Sequence, residues 1–198
     1  GYSRDGYSWF REDMTPFHAV NTTTSDAWNQ GNLQSVAGVP LIVGDKLYFY
    51  LSGRRLRGTQ EITTTGLATL RRDGFASMKG TGELHTPLLK FDGSYFFVHA
   101  NVTGEMKVEL LDSNNKVIEG FSKDECKAFK GDNVKAKIEW TSNASLASLK
   151  NKQLKVKFYI DNGEIFAFWI SPSANGESMG YTAGGGPGLN ISGIDKTK

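Results

Sequence analysis

Asp5, Glu12, Asp13, Asp26 and Asp45 place five carboxylates within the first 45 residues, and paired carboxylates are the equipment for hydrolysis across a bound sugar. Such a pair must stand roughly 5 to 10 Å apart. These five are scattered among turn and loop signals, where acidic side chains ordinarily solvate the backbone, so none is assigned as catalytic. Metal and thiol chemistry are poorly equipped too. Cys126 is the only cysteine, which excludes an internal disulfide and a Cys-cluster zinc site. The three histidines, His18, His85 and His99, lack the close spacing of metal ligands. In "DSNNK", Asp112 and Asn114 have calcium-ligand types, yet a hairpin turn uses the same residues. No metal and no cofactor are expected.

The best-placed binding group is Trp28, in the polar stretch "SDAWNQGN". A flat ring in such a loop offers its face to the C–H side of a pyranose, while Asp26, Asn29 and Arg54 supply partners for hydroxyls. The other reading is a plug between two parts of the chain. Trp140 and Trp169 alternate with apolar neighbours and belong to a core.

Lys107, Lys135, Lys137, Lys155 and Lys157 share the outward phase of three strands, which would suit an acidic polysaccharide. Glu105, Glu109 and Glu139 lie in the same phase, so cross-strand pairing on a solvated face is the plainer expectation. The net charge of +2 gives no footprint of a nucleic-acid binder. No apolar run reaches the roughly 18 residues of a membrane span, and "GYSRDGYSW" lacks a signal peptide's regions. Asn-x-Ser/Thr sequons begin at Asn21, Asn101, Asn143 and Asn190, a weak pointer to secretion in a chain so rich in these residues.

The elements that must position these groups are strands. "GVPLIVGDKLYFYLSG" reads as a hairpin at Gly44-Asp45, and "LKFDGSYFFVHANV" as another at Asp92-Gly93. "GEMKVELLD" alternates with one wet face. "NVKAKIEW" directs Val134, Ala136, Ile138 and Trp140 inward. "QLKVKFYID" buries Leu154, Val156, Phe158 and Ile160, and Asn162-Gly163 closes a hairpin onto "EIFAFWIS", with Phe166, Phe168 and Ile170 on one face. "SLASLKNK" supplies a short helical connector. The pattern predicts an all-β chain: an antiparallel, jelly-roll-like β-sandwich of some eight strands over 67–180, an N-terminal segment over 1–66, and an irregular Gly-rich tail over 181–198.

"SRDGYSW" resembles the Ser-x-Asp-Gly…Trp hairpin on blades of β-propeller glycosidases, in which Asp and Ser brace the turn and Trp packs between sheets. With "GVPLIVGDKLYFYLSGRR", "GLATLRRDGFASM", "LHTPLLKFDGSYFFVHANV" and "GFSKDEC" in this order, the chain from about Ser3 to Asn190 resembles the C-terminal end of five-bladed propeller glycoside hydrolases of the invertase and arabinanase type.

That resemblance implies a propeller-blade-like segment over 1–66, with "RRDG" (Arg71, Arg72, Asp73) at the seam where it passes into the sandwich, the arginines reaching carboxylates of the preceding part. It also implies that the family's catalytic carboxylates belong to blades preceding this sequence. The expected function is a non-catalytic, secreted, extracellular C-terminal part of a glycoside hydrolase-like protein, supporting the propeller, with carbohydrate as a candidate ligand. Its expected partners are the missing propeller domain, a second chain or its own copy, with no nucleic acid and no membrane. The alternative is a free-standing extracellular structural or adhesive sandwich module without glycan affinity.

Overall fold

A computed structural model describes residues 1–3, 5–23, 26–38, 40–142 and 144–177. The tail expected over 181–198 and the sequon residues Asn143 and Asn190 lie outside these. The chain is all-β with antiparallel sheets. It groups into two compact units: Gly1–Leu41 with Tyr48–Thr69, and Ile42–Leu47 with the chain from Leu70 onward.

The first unit opens with the expected hairpin, β1 (Tyr2–Ser3) against β2 (Trp9–Phe10). Asp5 makes this turn. Its Oδ1 accepts from Tyr7 N at 2.8 Å and Ser8 N at 2.7 Å, and these amide donors hold its carboxyl well below the usual range. Ser3 Oγ donates to the same oxygen and accepts from Gly6 N, at a glycine whose φ of 79° needs no Cβ. Trp9, which the resemblance would bury between sheets, is 63% exposed.

A second sheet orders β3 (Asn32–Val36), β5 (Lys46–Arg57) and β4 (Leu41–Val43), with β6 (Gln60–Arg71) also paired to β5. Gly44 takes φ 57° in the β4–β5 turn, the hairpin read from Gly44-Asp45.

The second unit is built on one four-stranded sheet, β7 (Met78–His85), β10 (Leu154–Ser171), β8 (Tyr95–Asp112) and β9 (Phe129–Ile138), in that spatial order. It uses fewer and longer strands than expected. β8 and β10 each run 18 residues and pair from Leu154↔Asp112 to Ser171↔Tyr95. Asn162-Gly163 therefore closes no hairpin. It forms a bulge within β10, where the register shifts between Asp161 and Gly163. Asn162 takes φ 45°, and its carbonyl accepts from Thr103 Oγ1 at 2.9 Å. The left-handed conformation that suits Asn-Gly to a hairpin suits it equally to a bulge.

A second shift between Ile165 and Ala167 resets the side-chain phase. Ile165, Phe168 and Ile170 join the core, while Phe166 turns to the opposite face beside His99, which corrects the expected grouping of Phe166 with Phe168. Val134 is displaced from the core in the same way. The β8–β9 register shifts between Val98 and Ala100, so that Ala136, Ile138 and Trp140 are buried and Val134 is only half-buried. The Asp92-Gly93 hairpin is not formed either, since Leu89 bridges to Leu154 of β10.

Alternating β8 residues from Phe96 to Leu110 and β10 residues Leu154, Val156 and Phe158 line the core, each large side chain contributing about 1.5–3 kcal/mol by burial. Phe121, Trp140, Leu146 and Leu149 close over them. The expected connector is a single 3-10 turn, Leu146–Leu149, capped by Ser145. Cys126 is buried here: its Sγ accepts from Val108 N at 3.2 Å, and burial pushes its thiol pKa up.

Candidate functional site

Trp28 follows a loop and lies over two strands that carry no side chain beneath it. A Cβ on Gly53 of β5 would come within 2.7 Å of Trp28 Cε3, and one on Gly66 of β6 would run into the same indole. The two glycines make a shelf. Thr64 Oγ1 donates to Trp28 O and ties the loop to β6. On the indole's side, the His18 ring stacks at a centroid distance of 6.1 Å and 19°. Asn29 is 5% exposed, and its Nδ2 donates to Ala19 O at 3.1 Å, which fixes the loop that carries His18.

Trp28, Asn29 and His18 line a depression of about 450 Å³ together with Asn21, Thr22 and Thr23. Aromatic edges surrounded by hydroxyl and amide groups, with no carboxylate in the lining, suit a neutral polyol.

Asp26 and Arg54, expected beside Trp28, are engaged elsewhere. Asp26 is paired with Arg55, whose Nη1 is 3.2 Å from its carbonyl oxygen and 4.0 Å from its carboxylate. Arg54 donates through Nη2 to Gln34 Oε1 at 3.0 Å and lies 3.4 Å from Glu61. The sequence does not point to His18, Asn21, Thr22 and Thr23 as companions of Trp28. The only signal for them was the polar "NTTT" run next to a tryptophan.

The "RRDG" knot is a turn. Gly74 N donates to Arg71 O at 2.9 Å, with Asp73 at φ 54°. Arg72 N donates to Asp45 O at 2.9 Å. Among the described residues the Arg71 guanidinium pairs with Asp132, donates through Nε to His99 Nε2 and sits 5.0 Å over the Phe166 ring, all partners belonging to the second unit. His99 is fully buried and stacks on Phe166 at 4.5 Å. Burial, with the Arg71 charge beside it, lowers its pKa to about 4. Because Nε2 accepts, Nδ1 carries the proton, and it has no hydrogen-bond partner.

Compared with known proteins, the chain matches no family model, no curated protein and no solved structure. Its functional assignment therefore rests on the geometry of its own side chains.

On the lysine-bearing face Lys137 and Lys157 are ion-paired, while Lys135 donates to the Asn175 carbonyl at 2.7 Å and Lys155 to Asn115 Oδ1 at 2.6 Å. Glu139 lies 2.9 Å from Lys137 and 3.2 Å from Lys127, which lowers its pKa, and Lys157 lies 3.0 Å from Glu83. The Tyr159 ring carries the Lys123 ammonium at 4.2 Å and the Lys157 ammonium at 4.5 Å, while its hydroxyl donates to the buried Glu109 at 2.8 Å. Asp112 Oδ1 accepts from Asn114 N at 2.8 Å and Lys116 N at 2.9 Å, so the "DSNNK" carboxylate shapes its own turn. Among the described residues no group of three or more His, Cys, Asp or Glu is placed to hold a metal ion, and no helix is long and apolar enough to cross a membrane.

Proposed function

We propose that this chain is the non-catalytic C-terminal part of a secreted glycoside hydrolase-like protein, in which the first unit packs against a β-propeller body and the Trp28 depression contacts glycan. The observation that carries this reading is the uneven distribution of apolar surface. The core cluster draws all its members from the second unit. Tyr2, Trp9, Phe10, Met14 and Phe17 of the first unit are all exposed. Exposed apolar side chains, where they gather into one surface, ordinarily mark an interaction site. The Asp5-braced hairpin has the form of a blade hairpin, with Trp9 free to enter a neighbouring sheet.

Two measurements test the reading. Light scattering at micromolar concentration should show self-association or, in the presence of a propeller domain, a complex. Titration of tryptophan fluorescence with neutral oligosaccharides should quench Trp28, while aryl glycosides and α- and β-linked oligosaccharides are not hydrolysed. A monomer that takes no propeller and no sugar would leave the free-standing structural module as the better reading, and turnover abolished by changing one carboxylate of this chain would overturn the non-catalytic assignment.

A further inference from the structure

Among the described residues strand β7 is an edge of the second unit's sheet, paired with β10 on one side, and every residue from Met78 to His85 is exposed except the half-buried Leu84. One row of its backbone N–H and C=O groups is consequently directed away from β10, as on any edge strand. The strand is held firmly at its midpoint, where Asn162 N donates to Thr81 Oγ1 at 2.8 Å opposite the β10 bulge.

The sequence of this edge, Met-Lys-Gly-Thr-Gly-Glu-Leu-His, is complementary to itself when reversed about Thr81. Antiparallel pairing of two copies across a two-fold axis at Thr81 sets Lys79 opposite Glu83, Gly80 opposite Gly82 and Met78 opposite Leu84. Lys79 makes no ion pair among the described residues, while the half-exposed Glu83 holds Lys157 at 3.0 Å and His85 at 3.4 Å through Oε2 and would take the incoming lysine as a further partner. A Cβ on Gly80 or Gly82 would meet nothing within 4 Å, so the chain leaves open space along the strand. That space is a depression of about 170 Å³ with Ile160 in its lining, and Met78, 59% exposed, stands at one end.

We infer that β7 is a self-recognition edge on which a second copy of this chain adds antiparallel, joining two four-stranded sheets into one continuous sheet through the Lys79–Glu83 pairs. A lysine on an edge strand, here Lys79 near the start of β7, discourages arbitrary strands. Only a strand with an acid at the matching position offsets it, and the chain's own copy supplies that acid twice, once on each side of the axis. An eight-residue edge is small beside a standard interface, so the dimer is weak and concentration-dependent. This inference does not rest on the propeller reading.

The test is a charge exchange read by sedimentation velocity from low micromolar to several hundred micromolar protein. Lys79→Glu alone and Glu83→Lys alone should each weaken self-association by about tenfold or more, because the two-fold axis doubles each like-charge contact. An equimolar mixture of the two variants should form a heterodimer at least as tight as the wild-type dimer, since every pair across the axis is then oppositely charged. Circular dichroism of each variant checks that the sheet is intact, and the mixture serves as its own control for folding. A wild-type chain that stays monomeric throughout, a K79E variant that associates like wild type, or a mixture that gives no heterodimer each overturns the proposal. The second of these outcomes would move the contact to the first unit's apolar side chains.

Discussion

Arg71 donates its Nε–H to the Nε2 of His99, an imidazole held neutral by its burial and by the cation beside it. Asp132 pairs with the same guanidinium, and Phe166 lies under that guanidinium and stacks on the imidazole. Every group facing His99 has a stake in its protonation. Burial and Arg71 oppose it most, Arg72 adds to them, and Asp132 favours it.

The pH dependence follows with a definite sign. The folded-state pKa of His99, about 4, lies below the ordinary value of 6.5, so between these pH values the unfolded chain binds more protons than the folded one. The stabilisation from neutral His99 is complete above pH 6.5 and declines as pH falls toward 4, by up to about 3 kcal/mol. Urea midpoints measured at neutral pH and near pH 4 should separate accordingly. In His99→Gln the separation should shrink; an unchanged separation would assign the acid sensitivity to other groups.

Leu154→Ala should cost about 2–5 kcal/mol, because Leu154 is fully buried and sits among residues that cannot collapse onto the space. Val134→Ala should cost about 1 kcal/mol or less, since its side chain is only half-buried outside the core cluster. Equal denaturation shifts for the two would contradict the β8–β9 register.

Gly66→Ala places a methyl group into the Trp28 ring and should displace it, at about 1–3 kcal/mol of local strain. A shift of tryptophan emission with the second unit's stability unchanged is the expected signature, accompanied by loss of any oligosaccharide response. Gly58→Ala, where a Cβ meets nothing but φ is 62°, controls for backbone strain alone.

Asn162→Val should destabilise the sheet by about 1 kcal/mol or more, because a β-branched residue resists the 45° φ that the bulge requires. Asn162→Gly should be close to neutral. If both variants melt alike, the bulge is not set by that conformation.

Alternation in the sequence was enough to read the inward faces of "GEMKVELLD" and "QLKVKFYID", and the Gly44-Asp45 turn was legible because a short loop between two strong strands leaves few alternatives. Asn162-Gly163 was not. Its φ demand is shared by turns and bulges, and the groups that meet the bulge, Thr103 on the Asn162 carbonyl and Thr81 on its amide, come from far along the chain. The Trp28 shelf was hidden for a similar reason: Gly53 and Gly66 look like ordinary strand glycines until they are found under one ring. Asp132 and His99 carry no local sign that Arg71 will join them, because both lie far along the chain from it.

Cys126 has a practical consequence. As the chain's only thiol, sealed in the core with its Sγ accepting from Val108 N, it is protected from reagents while the second unit is closed. Every alkylation event then records one opening of that core. The rate of labelling in native buffer, compared with the rate in denaturant, becomes an internal clock for how often the unit breathes, and it needs no engineered probe.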